Sequence, residues 1–116
     1  MQLVDFSNDG LFSPVRTAQS LRTTKGEIAT TLGLGKDSFS RKERIKARKT
    51  QRRLREMLEI LNRVEPHIGS ALVAYAWFRS EPLTGLGNQT PCQLVRAGRA
   101  DLVHNWLDRV MAGGYA

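Results

Sequence analysis

The chain has 116 residues, 41% apolar and 25% charged, which is typical of one folded domain or two very small ones and excludes a disordered chain. Its single cysteine, Cys92, excludes a disulfide framework within the chain, and we expect a reducing, cytoplasmic environment. The net charge of +7 is concentrated in residues 36–55, which contain ten of the 18 Lys and Arg and two of the 11 Asp and Glu. Such a local excess favours contact with a polyanion.

The predicted elements are all helices, because no run of residues alternates apolar and polar side chains for long. The first twelve residues, rich in Ser, Asn, Asp and Gly, are predicted to be frayed. Ser13 followed by Pro14 predicts the start of a first helix. Thr24 and Glu27 have capping-box spacing and predict a short second helix that ends at Gly33.

A third helix is predicted to begin near Lys36. A fourth helix is predicted to end at Pro66 and Gly69. It carries one apolar stripe, formed by Leu54, Met57, Leu58, Leu61 and Val64. Residues 70–79 are apolar on nearly every side, so their helix is predicted to be central. Two more helices follow, one with a capping box at Thr90 and one over about 99–112. We therefore expect an all-α fold with about seven helices.

Residues 27–41 have the spacing of a helix-turn-helix, whose second helix enters the major groove of DNA. Ala29 is small where two helices cross, and Gly33 suits a turn with positive φ. Lys42, however, stands where many such motifs have an apolar residue. Residues 1–64 are thus predicted to be a DNA-binding module, and nine residues are predicted to contact phosphates and bases: Lys36, Ser38, Ser40, Arg41, Lys42, Arg44, Lys46, Arg48 and Lys49.

The basic stretch has other interpretations that remain open. A solvated helix that binds nothing has the same charge pattern, and so does a surface that binds RNA. A helix lying on a membrane is disfavoured, because residues 40–53 supply only Ile45 and Ala47 as apolar contacts. The longest apolar run, residues 71–78, is too short to span a bilayer.

Residues 74–116 carry several motifs in one order: Trp77-Phe78, Gly87-Asn88-Gln89-Thr90-Pro91, Gly98 and Gly114-Tyr115. This order resembles the toxin-binding domain of the Xre/MbcA/ParS antitoxins. The residues before it, from about 11, resemble the Xre-type helix-turn-helix that precedes that domain. The resemblance implies a second, toxin-binding module over residues 65–116, a RES-domain toxin that destroys NAD⁺ as partner, and a type II toxin–antitoxin system.

In antitoxins of this kind the C-terminal part blocks the way to the NAD⁺ pocket, and the helix-turn-helix often represses the operon. The resemblance therefore also implies promoter DNA as a partner, a homodimer and larger complexes with the toxin. The toxin-facing residues that it implies lie in the 81–91 loop, on the polar face of the last helix and in the tail: Leu86, Asn88, Gln89, Asp101, His104, Asn105, Asp108, Arg109, Gly113, Gly114, Tyr115 and Ala116.

No set of residues predicts catalysis, a metal site or a bound cofactor. Residues 85–90, GLGNQT, lack the third glycine of a dinucleotide loop and follow no predicted strand. His67 and His104 lack the further Cys and His ligands that a zinc site needs. Trp77 and Trp106 are predicted to be core residues. We therefore predict an antitoxin that is not an enzyme. The alternative is a stand-alone helix-turn-helix regulator with a C-terminal dimerisation module.

Overall fold

The computed structural model describes residues 1–8 and 10–113. Over these residues the chain forms seven α-helices: α1 (Pro14–Ser20), α2 (Lys25–Thr31), α3 (Lys42–Ile45), α4 (Arg48–Ile68), α5 (Ala71–Ser80), α6 (Pro91–Arg96) and α7 (Ala100–Gly113). Two 3₁₀ helices, Leu3–Phe6 and Lys36–Phe39, and two short strands, β1 (Ser7–Asn8) and β2 (Leu11–Phe12), complete the described elements. The predicted all-α class with about seven helices is confirmed.

The amino-terminal segment packs on the helices, so the prediction that it is frayed is wrong. β1 and β2 form an antiparallel hairpin with Ser7 opposite Phe12, and Phe6 is only 4% exposed. The side chain of Gln51 in α4 continues the pairing, because it accepts from the Phe12 amide at 2.9 Å and donates to the Phe12 carbonyl at 3.0 Å. Strands of two residues are too short to give an alternating pattern in the sequence.

The capping signals lie where the sequence predicts them. Ser13, Thr24 and Thr90 each accept a hydrogen bond from the backbone amide three residues later, at 3.1 to 3.2 Å. Gln93 closes the box at Thr90 by accepting from the Thr90 amide at 2.8 Å. The box at Thr24 is half formed, because its acidic partner accepts from a neighbouring hydroxyl instead. These caps satisfy backbone donors that a helix leaves free at its start.

The third helix does not continue from Lys36 as predicted. After the 3₁₀ helix, Arg41 is extended with φ −133° and ψ 145°, and α3 lasts four residues. The Ser40 hydroxyl donates to the Asp37 carbonyl at 2.9 Å, so a side chain competes with the helical ladder at this point. The second helix of the predicted helix-turn-helix is therefore divided into two short segments.

The central element is α4, whose predicted apolar stripe is buried: Leu54, Met57, Leu58, Leu61 and Val64 are each at most 5% exposed. Pro66 lies inside its last turn, which corrects the prediction that this proline ends the helix. A proline so near the end interrupts little of the ladder. The helix ends at Gly69, whose φ of 104° is a left-handed cap that glycine adopts without strain.

The hydrophobic core extends without a break from the amino-terminal helices to α7, and the predicted module boundary after residue 64 falls within α4. α5 packs against both α4 and α6 and leaves one side exposed. Its Tyr75 and Phe78 are buried, whereas Leu72 and Val73 are 37% and 49% exposed. The prediction that this helix is central is therefore wrong, because one side of it faces solvent.

Two arginines from distant helices bind the end of α2. Arg53 of α4 donates from Nη1 to the Leu32 and Gly33 carbonyls, both at 3.0 Å. Arg96 of α6 donates from Nε to the Thr31 carbonyl at 2.8 Å. The last carbonyls of a helix have no partner within it, so these guanidinium groups cap α2. They also join the amino-terminal helices to the carboxy-terminal ones.

Candidate functional site

Residues 83–89 form a compact loop between α5 and α6. The Leu83 amide donates to the Gln89 carbonyl at 2.9 Å and closes the loop. Leu83 is fully buried, whereas Asn88 and Gln89 are exposed. Asn88 has φ 58°, a left-handed conformation that asparagine tolerates better than most residues. The predicted contact residues of this loop are therefore held in a defined backbone shape.

α7 presents a polar side to solvent. Four predicted contact residues share it, and all are exposed: Asp101, Asn105, Asp108 and Arg109. Arg99 makes two hydrogen bonds of 3.0 Å to the Asp101 carboxylate, and these bonds lower the pKa of that carboxyl.

Two of the predicted contact residues, His104 and Asp108, are positioned by Arg63 of α4. Arg63 donates to His104 Nδ1 at 3.0 Å and to the His104 carbonyl at 3.2 Å, and it forms an ion pair with Asp108. His104 is half-buried as a result of this contact. Asn105 makes no side-chain hydrogen bond within the described chain.

The loop and α7 are joined into one surface. Trp106 Nε1 of α7 donates to the Thr84 carbonyl of the loop at 3.2 Å, and Leu86 packs half-buried against the core. We call the exposed part of this area, residues 84–89 and the polar side of α7, the α7–loop surface. α7 ends at Gly113, which is exposed; the predicted contacts Gly114, Tyr115 and Ala116 lie outside the described residues.

Residues 68–113 match the family model of the antitoxin Xre/MbcA/ParS C-terminal toxin-binding domain. The matched segment contains the whole α7–loop surface. The match supports a toxin-binding antitoxin role, with a toxin protein as the partner. No match was found among curated proteins or among solved structures.

An apolar groove of about 300 Å³, which the sequence did not indicate, lies beside the α7–loop surface. Trp77 and Trp106 both line it, with ring centroids 6.4 Å apart and ring planes tilted by 39°. Both tryptophans were predicted to be core residues. Both pack against the hydrophobic core, but each is only half-buried. The remaining lining comes from the end of α4 and from α5 and α7: Val64, His67, Ile68, Glu81, Leu107, Val110 and Met111.

The nine predicted DNA contacts lie in one continuous stretch, from the second 3₁₀ helix through α3 into the first turn of α4. Eight are exposed and Ser38 is half-buried. In the described part of the chain, none of their seven cations forms a salt bridge within 4.0 Å. The charge of this stretch is therefore open to a partner, although no long helix presents it.

Within residues 1–8 and 10–113, no three His, Cys, Asp or Glu side chains are grouped so as to hold a metal ion. Cys92 is buried, with its thiol donating to the Arg79 carbonyl at 3.7 Å. Over the same residues, no helix has both the length and the apolar character that crossing a bilayer requires.

Proposed function

We propose that this chain is the antitoxin of a RES-domain toxin and that the α7–loop surface covers the entrance to the toxin's NAD⁺ pocket. The observation that carries the proposal is the family match over residues 68–113, which contains this surface. The loop is closed by its own backbone hydrogen bonds, so little conformational entropy is lost when it binds. Such preorganisation suits a protein inhibitor.

The composition of the α7–loop surface fits a protein interface. Leu86 gives a half-buried apolar contact, and Asn88, Asn105 and Arg109 add exposed polar groups to the same surface. Interfaces commonly combine an apolar centre with a polar rim. Asp101 is exposed and can pair with a cation of the toxin in place of its present partner, Arg99.

The tail extends the same proposal. α7 delivers the chain to Gly113, and we propose that Tyr115 and Ala116 enter the toxin pocket. A flat ring with a hydroxyl, as in Tyr115, suits a pocket for a nucleotide.

The test is an NAD⁺-consumption assay with the RES-domain protein encoded beside this chain. Asn105→Arg places a large cation on the α7–loop surface, and we expect it to weaken inhibition about 10-fold or more. Gln19→Arg makes the same charge change on the exposed side of α1 and should inhibit like the original chain. A chain ending at Gly113 tests the tail. Equal inhibition by Asn105→Arg and Gln19→Arg rejects the surface, and full inhibition by the shortened chain rejects the tail's entry.

We further propose that the chain represses its own operon by binding promoter DNA. The support is the exposed charge between Lys36 and Lys49, whose cations form no salt bridge with the described residues. Because the predicted recognition helix is divided, phosphate contacts supply most of the affinity and base contacts little. Mobility shift with the upstream DNA should show affinity falling steeply between about 50 and 200 mM salt; affinity independent of salt contradicts the proposal.

A homodimer is the remaining proposal, and the Trp77–Trp106 groove offers it an apolar contact. Light scattering should give twice the chain mass of 13.0 kDa. A single-chain mass at all concentrations contradicts it.

A further inference from the structure

A second cleft, of about 410 Å³, lies between the first two turns of α4 and the turn that joins α6 to α7. We call it the cationic cleft. Four of its lining residues are cations and one is an acid: Arg48, Lys49, Arg52, Arg53 and Glu56, with Val95 and Gly98 on the opposite wall. It is distinct from the α7–loop surface and from the Trp77–Trp106 groove.

The charges at this end of α4 are unfavourable for the helix itself. The first turn contains no acidic residue, and the N-cap, Ala47, has no side chain that can accept from the free amides. Cations at a helix N-terminus are repelled by the helix dipole, which favours anions there. An anion in the cleft would relieve this repulsion and the repulsion among the cations.

The cleft side chains differ in how free they are to bind. Arg53 is fixed by the carbonyls that it caps. Arg52 has a side chain 56% exposed, and its only partner in the described chain is Glu56, at 3.5 Å. Glu56 Oε1 is buried and accepts no hydrogen bond from the described residues. Arg48, Lys49 and Arg52 are therefore the cations available to an anion, and Glu56 opposes its binding.

We propose that the cationic cleft holds backbone phosphates of duplex DNA, so that the turn between α6 and α7 forms one wall of the DNA site. The inference rests on the proposed DNA binding and extends it beyond Lys49. Along the sequence, the cations of residues 41–46 are followed directly by those of the cleft, and a run of cations suits repeating phosphates better than one small anion. The DNA-binding unit is then the whole chain and not residues 1–64 alone.

Arg52→Gln and Arg55→Gln give a matched test. Both side chains are about half exposed, at 56% and 54%, and each pairs with a glutamate four residues later, but Arg55 does not line the cleft. Binding of a fluorescein-labelled duplex of about 20 base pairs is measured by anisotropy over a salt series. Arg52→Gln should reduce the slope of log affinity against log salt by about 1, whereas Arg55→Gln leaves it unchanged.

Glu56→Gln should change DNA affinity in the opposite direction. It removes the acid that lines the cleft among the described residues, so it should tighten binding severalfold. If Arg52→Gln behaves like Arg55→Gln while Lys42→Gln weakens binding, the cleft is rejected and the proposed DNA binding stands. If the original chain shows no salt-dependent binding, both are rejected. Displacement of the duplex by an equal concentration of single-stranded RNA also overturns the assignment to duplex DNA.

Discussion

The arginine caps on α2 give the sharpest stability prediction. Arg53→Met keeps the aliphatic stem and removes the guanidinium group, which donates to the Leu32, Gly33 and Arg96 carbonyls at 3.0, 3.0 and 3.1 Å. Hydrogen bonds from a charged group contribute about 1.5–3 kcal/mol each. The Gly33 and Arg96 bonds are exposed, so water replaces them at little cost. We therefore expect a net loss of about 2–3 kcal/mol in the free energy of unfolding, mainly from the part-buried Leu32 bond.

Urea unfolding followed by circular dichroism measures this loss. The control is Arg55→Met, whose 3.9 Å pair with Glu59 joins two half-exposed side chains and should change stability by no more than about 0.5 kcal/mol. Equal unfolding midpoints for the two variants would refute the argument that Arg53 caps α2 and joins the two halves of the chain.

Three further predictions concern the core and its contacts. Burial raises the pKa of Tyr75 above its ordinary value of 10.0, so the unfolded chain releases this proton first and stability falls as pH rises through 10. Tyr75→Phe removes the hydrogen bond to Thr31 and should lower the free energy of unfolding by about 1 kcal/mol at neutral pH. In urea unfolding at a series of pH values, the stability of this variant should fall less above pH 10 than that of the original chain; an equal fall contradicts this. Gly33→Ala should cost about 1–2 kcal/mol in urea unfolding, because φ is 66° and the added carbon would lie 3.0 Å from Arg96 Cγ; a more stable variant contradicts this. Phe78→Ala should cost about 3–5 kcal/mol by the same method, since Phe78 is fully buried, and a loss below 1 kcal/mol contradicts this.

The sequence predicted the features that depend on neighbouring residues. Caps at Ser13, Thr24 and Thr90 follow from side chains that reach an amide three residues away, and the structure contains all three. The stripe of α4 follows from helical spacing and is buried. One local rule failed because a local competitor was missed at Ser40, whose hydroxyl bond to the backbone accompanies the break before α3.

Features that depend on long-range packing could not be predicted. The apolar residues of α5 do not reveal that Leu72 and Val73 stay uncovered, because that depends on which helices pack around it. The contacts of Arg53 and Arg96 join residues 20 or more positions apart and leave no periodic signal. For the candidate site, the loop and the α7 residues were named from the resemblance, but the tie between Trp106 and Thr84 and the cationic cleft required the structure.

The most direct test of the proposed antitoxin role is a titration of the RES-domain toxin with the full chain at several NAD⁺ concentrations. If the α7–loop surface and the tail cover the pocket, the chain and NAD⁺ exclude each other. The antitoxin concentration for half inhibition should then rise in proportion as NAD⁺ is raised above its KM. Half inhibition at the same concentration for every NAD⁺ level, or no inhibition at all, would contradict the proposal that the chain neutralises the toxin by blocking its active site.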